Sequence, residues 1–246
     1  MKTIFTIIFI CSVRFILSQS PNYDDLKILY ADTKYEKLSK VAAHYTQKDK
    51  TSKDVLPYIW LSKGLYKISL SGSDDPKFKN AYKDAIKYLS KGIKYDLKYN
   101  NGSTFEDDHK EFLDEFQLSL QEIIDNEMSS NNMKRAFSWA IKYQKITLNP
   151  IGANYIMGAC KFMDQDKTTA RTYWQKGDVM LEEIKTIEKF SEADRLMFKN
   201  GVLSTAESMV KSRQNKSATI LLNKASHWFE KDKDWKEIYD EILKIK

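Results

Sequence analysis

AIKYLSKG (Ala85–Gly92), ARTYWQKG (Ala170–Gly177) and ATILLNKA (Ala218–Ala225) obey one rule: a small residue, a large apolar residue four places on, and another small residue three places later. Positions i, i+4 and i+7 share one face of an α-helix, so the rule sets small, large and small side chains in a row. The small ends let a neighbouring helix come close while the large residue fills the space between the contacts. Ala136, Ala140 and Tyr143 form a degenerate fourth case. Spacing ties the cases together. Ala136 and Ala170 are 34 residues apart, and Ile124, Gly158 and Ala206 each stand twelve residues before Ala136, Ala170 and Ala218. The turn-forming segments SSNN (129–132), DQD (164–166) and SRQN (212–215) keep the same register.

The rest of the chain agrees with helices. In 246 residues there are only 8 glycines and 4 prolines, so few points break long segments rich in Leu, Lys, Glu and Asp. A hydrophobic fraction of 42% is enough for a core and argues against disorder. Apolar residues recur at helical spacing from Tyr23 to Gln47 and from Val55 to Leu70. Helices are expected from Pro76 to Leu97, with Asp74 or Asp75 as cap, and from Thr104 to Met128, with another ending near Leu148 before Asn149–Pro150. Further helices are expected over Ile151–Met163, Lys167–Ile187, Ser191–Lys211, Ser217–Glu230 and Asp234–Ile245. The expectation is an all-α protein of nine or ten helices in antiparallel hairpins, stacked in one continuous domain over 20–246 with no interior linker.

The first twenty residues, MKTIFTIIFICSVRFILSQS, place a lysine before an apolar run from Ile4 to Val13, with Ser18 and Ser20 just beyond. That reads as a signal peptide over 1–19, the alternative being a retained anchor. The run is shorter than the roughly 20 residues that cross a bilayer, so no spanning segment is expected after cleavage. Removing it takes Lys2 and Arg14 and lowers the formal charge from +6 to +4. Cys11 leaves as well, and Cys160, alone in the apolar setting IMGACKF, then has no intramolecular disulfide partner. The expected location is periplasmic or secreted.

A mildly basic chain favours an acidic partner, but its lysines alternate with Asp and Glu, and no concentrated phosphate-binding stripe is read from them. Nucleic acid is therefore not the expected partner. His44, His109 and His227 lie in unrelated segments, without metal-ligand spacing. His109 with Asp107, Asp108 and Glu111 is a weak ion-binding pattern that a solvated helix face explains better. There is no nucleophile elbow, Gly-rich phosphate loop or zinc-protease motif, so no enzyme, cofactor or metal is expected.

The 34-residue register resembles the tetratricopeptide repeat, a helix-turn-helix unit with a small residue late in its first helix and the small–large–small face in its second. KGLYKIS (63–69) is similar to the first-helix motif, although Lys63 and Lys67 replace its leucine and aromatic, and ITLNP (146–150) resembles a closing turn. The resemblance covers Leu56 to Trp228 and has two irregularities. Gly64 to Ala85 is 21 residues rather than twelve, and about fourteen extra residues separate the third and fourth units. An irregular helical bundle or another α-solenoid is the alternative. Composition and the leader are similar to exported Bacteroidetes-type repeat proteins. The resemblance implies a concave groove lined by first-helix residues: Tyr58, Leu61 and Leu65; Gln121, Asp125 and Met128; Tyr155, Ala159 and Phe162; Asn200, Leu203 and Glu207. The sequence leaves open whether that groove is free or filled by the chain's own helices. The implied function is a non-enzymatic scaffold or adaptor for an unidentified, acidic protein or peptide. A small-molecule or glycan-binding protein and a hydrolase with an unrecognised site are the alternatives.

Overall fold

The computed structural model describes residues 22–245, so the expected signal peptide and Cys11 lie outside the described residues. Twelve α-helices and no strands occur among the described residues. They are α1 (Asp24–Ala31), α2 (Tyr35–Gln47), α3 (Val55–Ser71), α4 (Ala81–Tyr99), α5 (Ser103–Asp107), α6 (Lys110–Ser129), α7 (Met133–Tyr143), α8 (Ile151–Met163), α9 (Lys167–Glu183), α10 (Glu192–Lys211), α11 (Asn215–Phe229) and α12 (Lys233–Lys244). The excess over nine or ten comes from local breaks. The helical pattern of Tyr23–Gln47 is cut at Thr33, and that of Thr104–Met128 is cut at Asp108. The segment from Pro76 starts as a 3-10 turn, Pro76–Phe78, capped by Asp75, whose carboxylate accepts from the Lys77 N–H at 3.0 Å. The α-helix begins only at Ala81.

Internal contacts group the chain into two compact units that divide between Tyr88 and Leu89. The division falls inside the continuous helix α4, so no Pro-, Gly- or Ser-rich linker marks it in a sequence that reads as one domain. In the first unit α2 packs between α1 and α3 through Leu26, Leu38, Ala42 and Ile59. Gly64 in α3 lies tight against this pair: a Cβ there would stand 2.7 Å from the Ser39 hydroxyl. The Ser62 hydroxyl donates to the Ala85 carbonyl at 2.9 Å, tying α3 to the start of α4.

In the second unit α6/α7, α8/α9 and α10/α11 are hairpins, and α12 closes the end by burying Trp235 and Ile242. Four hairpins in the chain share one turn. Thr33, Asn131, Gln165 and Arg213 adopt left-handed φ of 58°, 59°, 66° and 60°. In each, that residue's N–H donates to the carbonyl three back and the next N–H donates to the carbonyl five residues before it, the Schellman arrangement. Seven residues before the left-handed position stand Leu26, Ile124, Gly158 and Ala206; five after it stand Leu38, Ala136, Ala170 and Ala218. All eight are buried. The hairpin α1/α2 thus carries the register although Leu26 and Leu38 replace the small residues. The Ala85 octet follows a different connection, through Gly72 and the 3-10 turn.

Every residue of the four small–large–small sets is buried. Their contacts differ in kind. Gly177 makes room for a ring, since a Cβ there would lie 2.9 Å from Tyr155 Cζ, and Gly158 is roofed by the Trp174 indole. Close backbone approach occurs elsewhere, between α8 and α10. A Cβ on Gly152 would meet the Met197 carbonyl carbon at 2.3 Å, and one on Gly201 would meet the Gly152 oxygen at 2.8 Å. Helix α8 is consequently buried along Ile151–Cys160, with α7, α9 and α10 packed around it. Burial pushes the Cys160 thiol up to about 12, which makes it an inert core side chain.

Candidate functional site

The residues expected to line a groove on the first helices are placed mainly inside the protein. Tyr58, Leu61 and Leu65 are core residues of the first unit, and the Tyr58 hydroxyl donates to the Ser52 carbonyl at 2.8 Å. Tyr155, Ala159 and Leu203 are buried in the second unit. Phe162 is half-buried with its ring 5.6 Å from that of Trp174, Met128 is half-buried, and Glu207 is exposed. In the second unit the cause is α10, which packs against both α8 and α6 and occupies the face that a regular stack would leave open.

Three of the expected residues do meet, as part of this seal. Asn200 Nδ2 donates to Asp125 Oδ2 at 3.0 Å, and Gln121 donates to the same carboxylate. Burial holds the Asp125 carboxyl above its usual range, opposed by the amide hydrogen bonds from Asn200 and Gln121 and by the nearby Lys199 charge.

A larger network pins the start of α10. Asp194, only 2% exposed, accepts from the Tyr143 and Thr147 hydroxyls, each at 2.7 Å, and from Asn149 Nδ2 at 3.1 Å. Ser191 caps the helix by accepting from the Asp194 N–H at 3.1 Å and donates to Gln117 Oε1 at 2.7 Å. Gln117 in turn donates to the Ile146 carbonyl at 2.7 Å. The chain of bonds links α6, α7, the 146–150 connection and α10. Burial raises the Asp194 carboxyl above the ordinary range against the pull of Thr147, Tyr143, Asn149 and Ser191, and it raises the Tyr143 phenol, with the Asp194 charge adding to the effect. At the far side of α10, Lys199 reaches Asp232 at 2.8 Å and Asp234 at 3.5 Å, fastening the N-terminus of α12. These polar groups are paired with one another, and the small cavity of about 100 Å³ beside Asp194, Gln117 and Leu148 is an edge of the same latch.

An open concavity lies on the other side of the hairpins, between the second helices α9 and α11. It has a volume of about 430 Å³. Trp174, Met209, Ile220 and Leu221 give it an apolar lining, with Ile220 48% exposed. Arg171, Gln175, Asp178 and Glu182 stand on the α9 side, and Gln214, Ser217 and Lys224 on the other. Asp178 is fixed by the Tyr155 hydroxyl, which donates to it at 2.8 Å. Lys224 and Glu182 bridge the two helices at 3.4 Å, both well exposed, so the bridge is worth little and opens at small cost. Apolar floor, paired charges at the rim and a spanning contact of low strength are what a docking groove for a side chain or short segment needs.

Trp174 is singled out by its octet, but the groove is not. The signal for it is the triplet Ile220-Leu221-Leu222: three consecutive apolar residues turn through about 200° on a helix, so one of them must leave the core. Among the described residues no group of three or more His, Cys, Asp or Glu is placed to hold a metal ion, and no helix is long and apolar enough to cross a membrane. No protein-family model matches this chain, and comparison with curated proteins finds no match.

Proposed function

We propose that the protein is a non-enzymatic adaptor, a TPR-like array of helical hairpins that is exported and binds a segment of another protein in the groove between α9 and α11. The observation that carries this reading is the exposed Ile220 in a concavity framed by the cations Arg171 and Lys224 and the anions Asp178 and Glu182. An apolar anchor of the partner would be desolvated on Ile220, and rim hydrogen bonds would fix its direction. Export is supported by the leader-like first nineteen residues, and the repeat reading by the four turns of one geometry. Photo-crosslinking in the native host tests the site. A crosslinking residue at Ile220 is expected to trap a discrete partner that the same residue at Val179, exposed on α9 outside the groove, does not. Identical products from the two positions would refute it.

A second reading rests on the size of the groove, which lies within the roughly 300–1,000 Å³ of small-molecule sites. A glycan or small molecule bound in the groove, which Trp174 lines from its buried side, would change tryptophan emission saturably, and Trp174→Phe would abolish the change.

A further inference from the structure

Helix α4 carries lysines at 83, 87, 91, 94 and 98. At 100° per residue they fall within an arc of about 80°, and at 1.5 Å per residue they form a line about 22 Å long. The opposite face of the helix, with Ala85 and Leu89, is buried. All five lysines are exposed. The ion pairs of the described residues include none at Lys83, Lys87, Lys94 or Lys98.

The acids that interrupt this run in the sequence do not neutralise it in the fold. Asp96 is 1% exposed and turns inward, where it accepts from Asn100 Nδ2 at 3.1 Å and from the backbone N–H groups of Thr104 and Phe105 at 3.4 and 3.3 Å, capping α5. Asp84 is half-buried at the margin. The alternation of lysines with acids along the sequence therefore does not carry over to this helix face, where one of the two carboxylates is spent on a cap. Leu97 and Tyr99, 50% and 47% exposed, lie beside the far end of the line.

We infer that this stripe is a docking strip for an acidic, helical segment of a protein partner. The inference takes from the adaptor reading only that the partner is a protein. Lys83 to Lys94 and Lys87 to Lys98 are both eleven apart, a period of about 3.67 residues, so a second, nearly straight helix with Glu at the same intervals pairs along the whole line. Ammonium groups are single point charges without the bidentate fork that arginine brings to phosphate, and the stripe holds no arginine. A line one helix face wide suits one narrow chain better than a membrane plane, and the apolar face that would insert into lipid is occupied by the core. Leu97, about 40° from the edge of the lysine arc, offers the partner an apolar contact at one end.

Fluorescence anisotropy with a labelled, alanine-based helical peptide tests this, its glutamates set at the lysine intervals. The controls are a peptide of identical composition with the glutamates spread around the helix, and a single-stranded oligonucleotide of equal charge. The in-register peptide is expected to bind about tenfold tighter than the permuted one and to weaken as salt rises. The variant Lys87→Gln/Lys94→Gln/Lys98→Gln, with its helical signal unchanged, is expected to lose about tenfold in affinity. A control variant, Lys216→Gln/Lys236→Gln/Lys244→Gln, removes the same charge from exposed sites on α11 and α12 and is expected to change little. Equal binding of both peptides, tighter binding of the oligonucleotide, or indifference to the stripe variant would overturn the inference. Crosslinks at Ile220 that survive the stripe variant would show the groove acting without the stripe, so the two readings fail separately.

Discussion

The first-helix face of α6, α8 and α10 and the second-helix groove of α9 and α11 belong to the same hairpins, yet one is sealed and the other is open. On the first face the small residues are Gly152 and Gly201, and backbones touch; on the second the small residues face rings, and Ile220 is left in solvent. The length of the connection separates the two outcomes. Residues 184–191 connect the hairpins α8/α9 and α10/α11, and α10 is longer than α8, so α10 is free to settle across both α8 and α6 and to take polar partners from each: Asp125 of α6 through Asn200, and the Tyr155 carbonyl of α8 through the Thr205 hydroxyl. The spacing of small and large residues determines which of them face inward, and connection length determines which helix faces are covered.

The seal breaks most severely at Gly152. Gly152→Ala forces α8 and α10 apart, and a loss of about 3 kcal/mol is expected in chemical denaturation. Asp194→Ala attacks the polar end of the same face, leaving Tyr143, Thr147 and Asn149 without their shared acceptor, for a loss of about 2–3 kcal/mol. Its pH dependence has a definite sign. Because the folded carboxyl titrates above its unfolded value, Asp194 contributes most stability when protonated and loses that contribution as pH rises through the folded value. The stability gap between the natural chain and Asp194→Ala is therefore expected to widen on acidification, as measured by urea unfolding at stepped pH. The smallest effect sharpens the comparison without touching the seal. Arg213→Gly relieves a left-handed residue in the α10/α11 turn and is expected to raise stability by up to about 1 kcal/mol, with no change in the crosslinking pattern from position 220.

Much of the helical layout is legible before any coordinates. Ile151–Met163 is bounded as expected because Asn149–Pro150 precedes it and DQD follows it, and Asp166 caps α9 by accepting from the Thr169 N–H at 3.2 Å. The first hairpin escapes notice because Leu26 and Leu38 hold positions where the pattern has Ala or Gly. Their common turn, at Thr33, is a backbone conformation with no fixed residue type. The sealing helix escapes for another reason. Tyr143 and Asp194 are 51 residues apart, and an aspartate in the first turn of a helix ordinarily faces water. The lysine line is hidden by Asp96, whose inward turn depends on a cap that only the folded chain provides.

Thiol labelling distinguishes the sealed face from the open groove most directly. Cys160 is buried and stays silent, so with Cys11 replaced by serine a single cysteine introduced at Leu203 or at Ile220 reports its own accessibility in the native chain. The account expects Ile220→Cys to react at nearly the rate of the unfolded protein and Leu203→Cys to react slower by about a hundredfold or more, the protection of a site opened only by local unfolding. Comparable rates at the two positions would mean that α10 does not close the first-helix face.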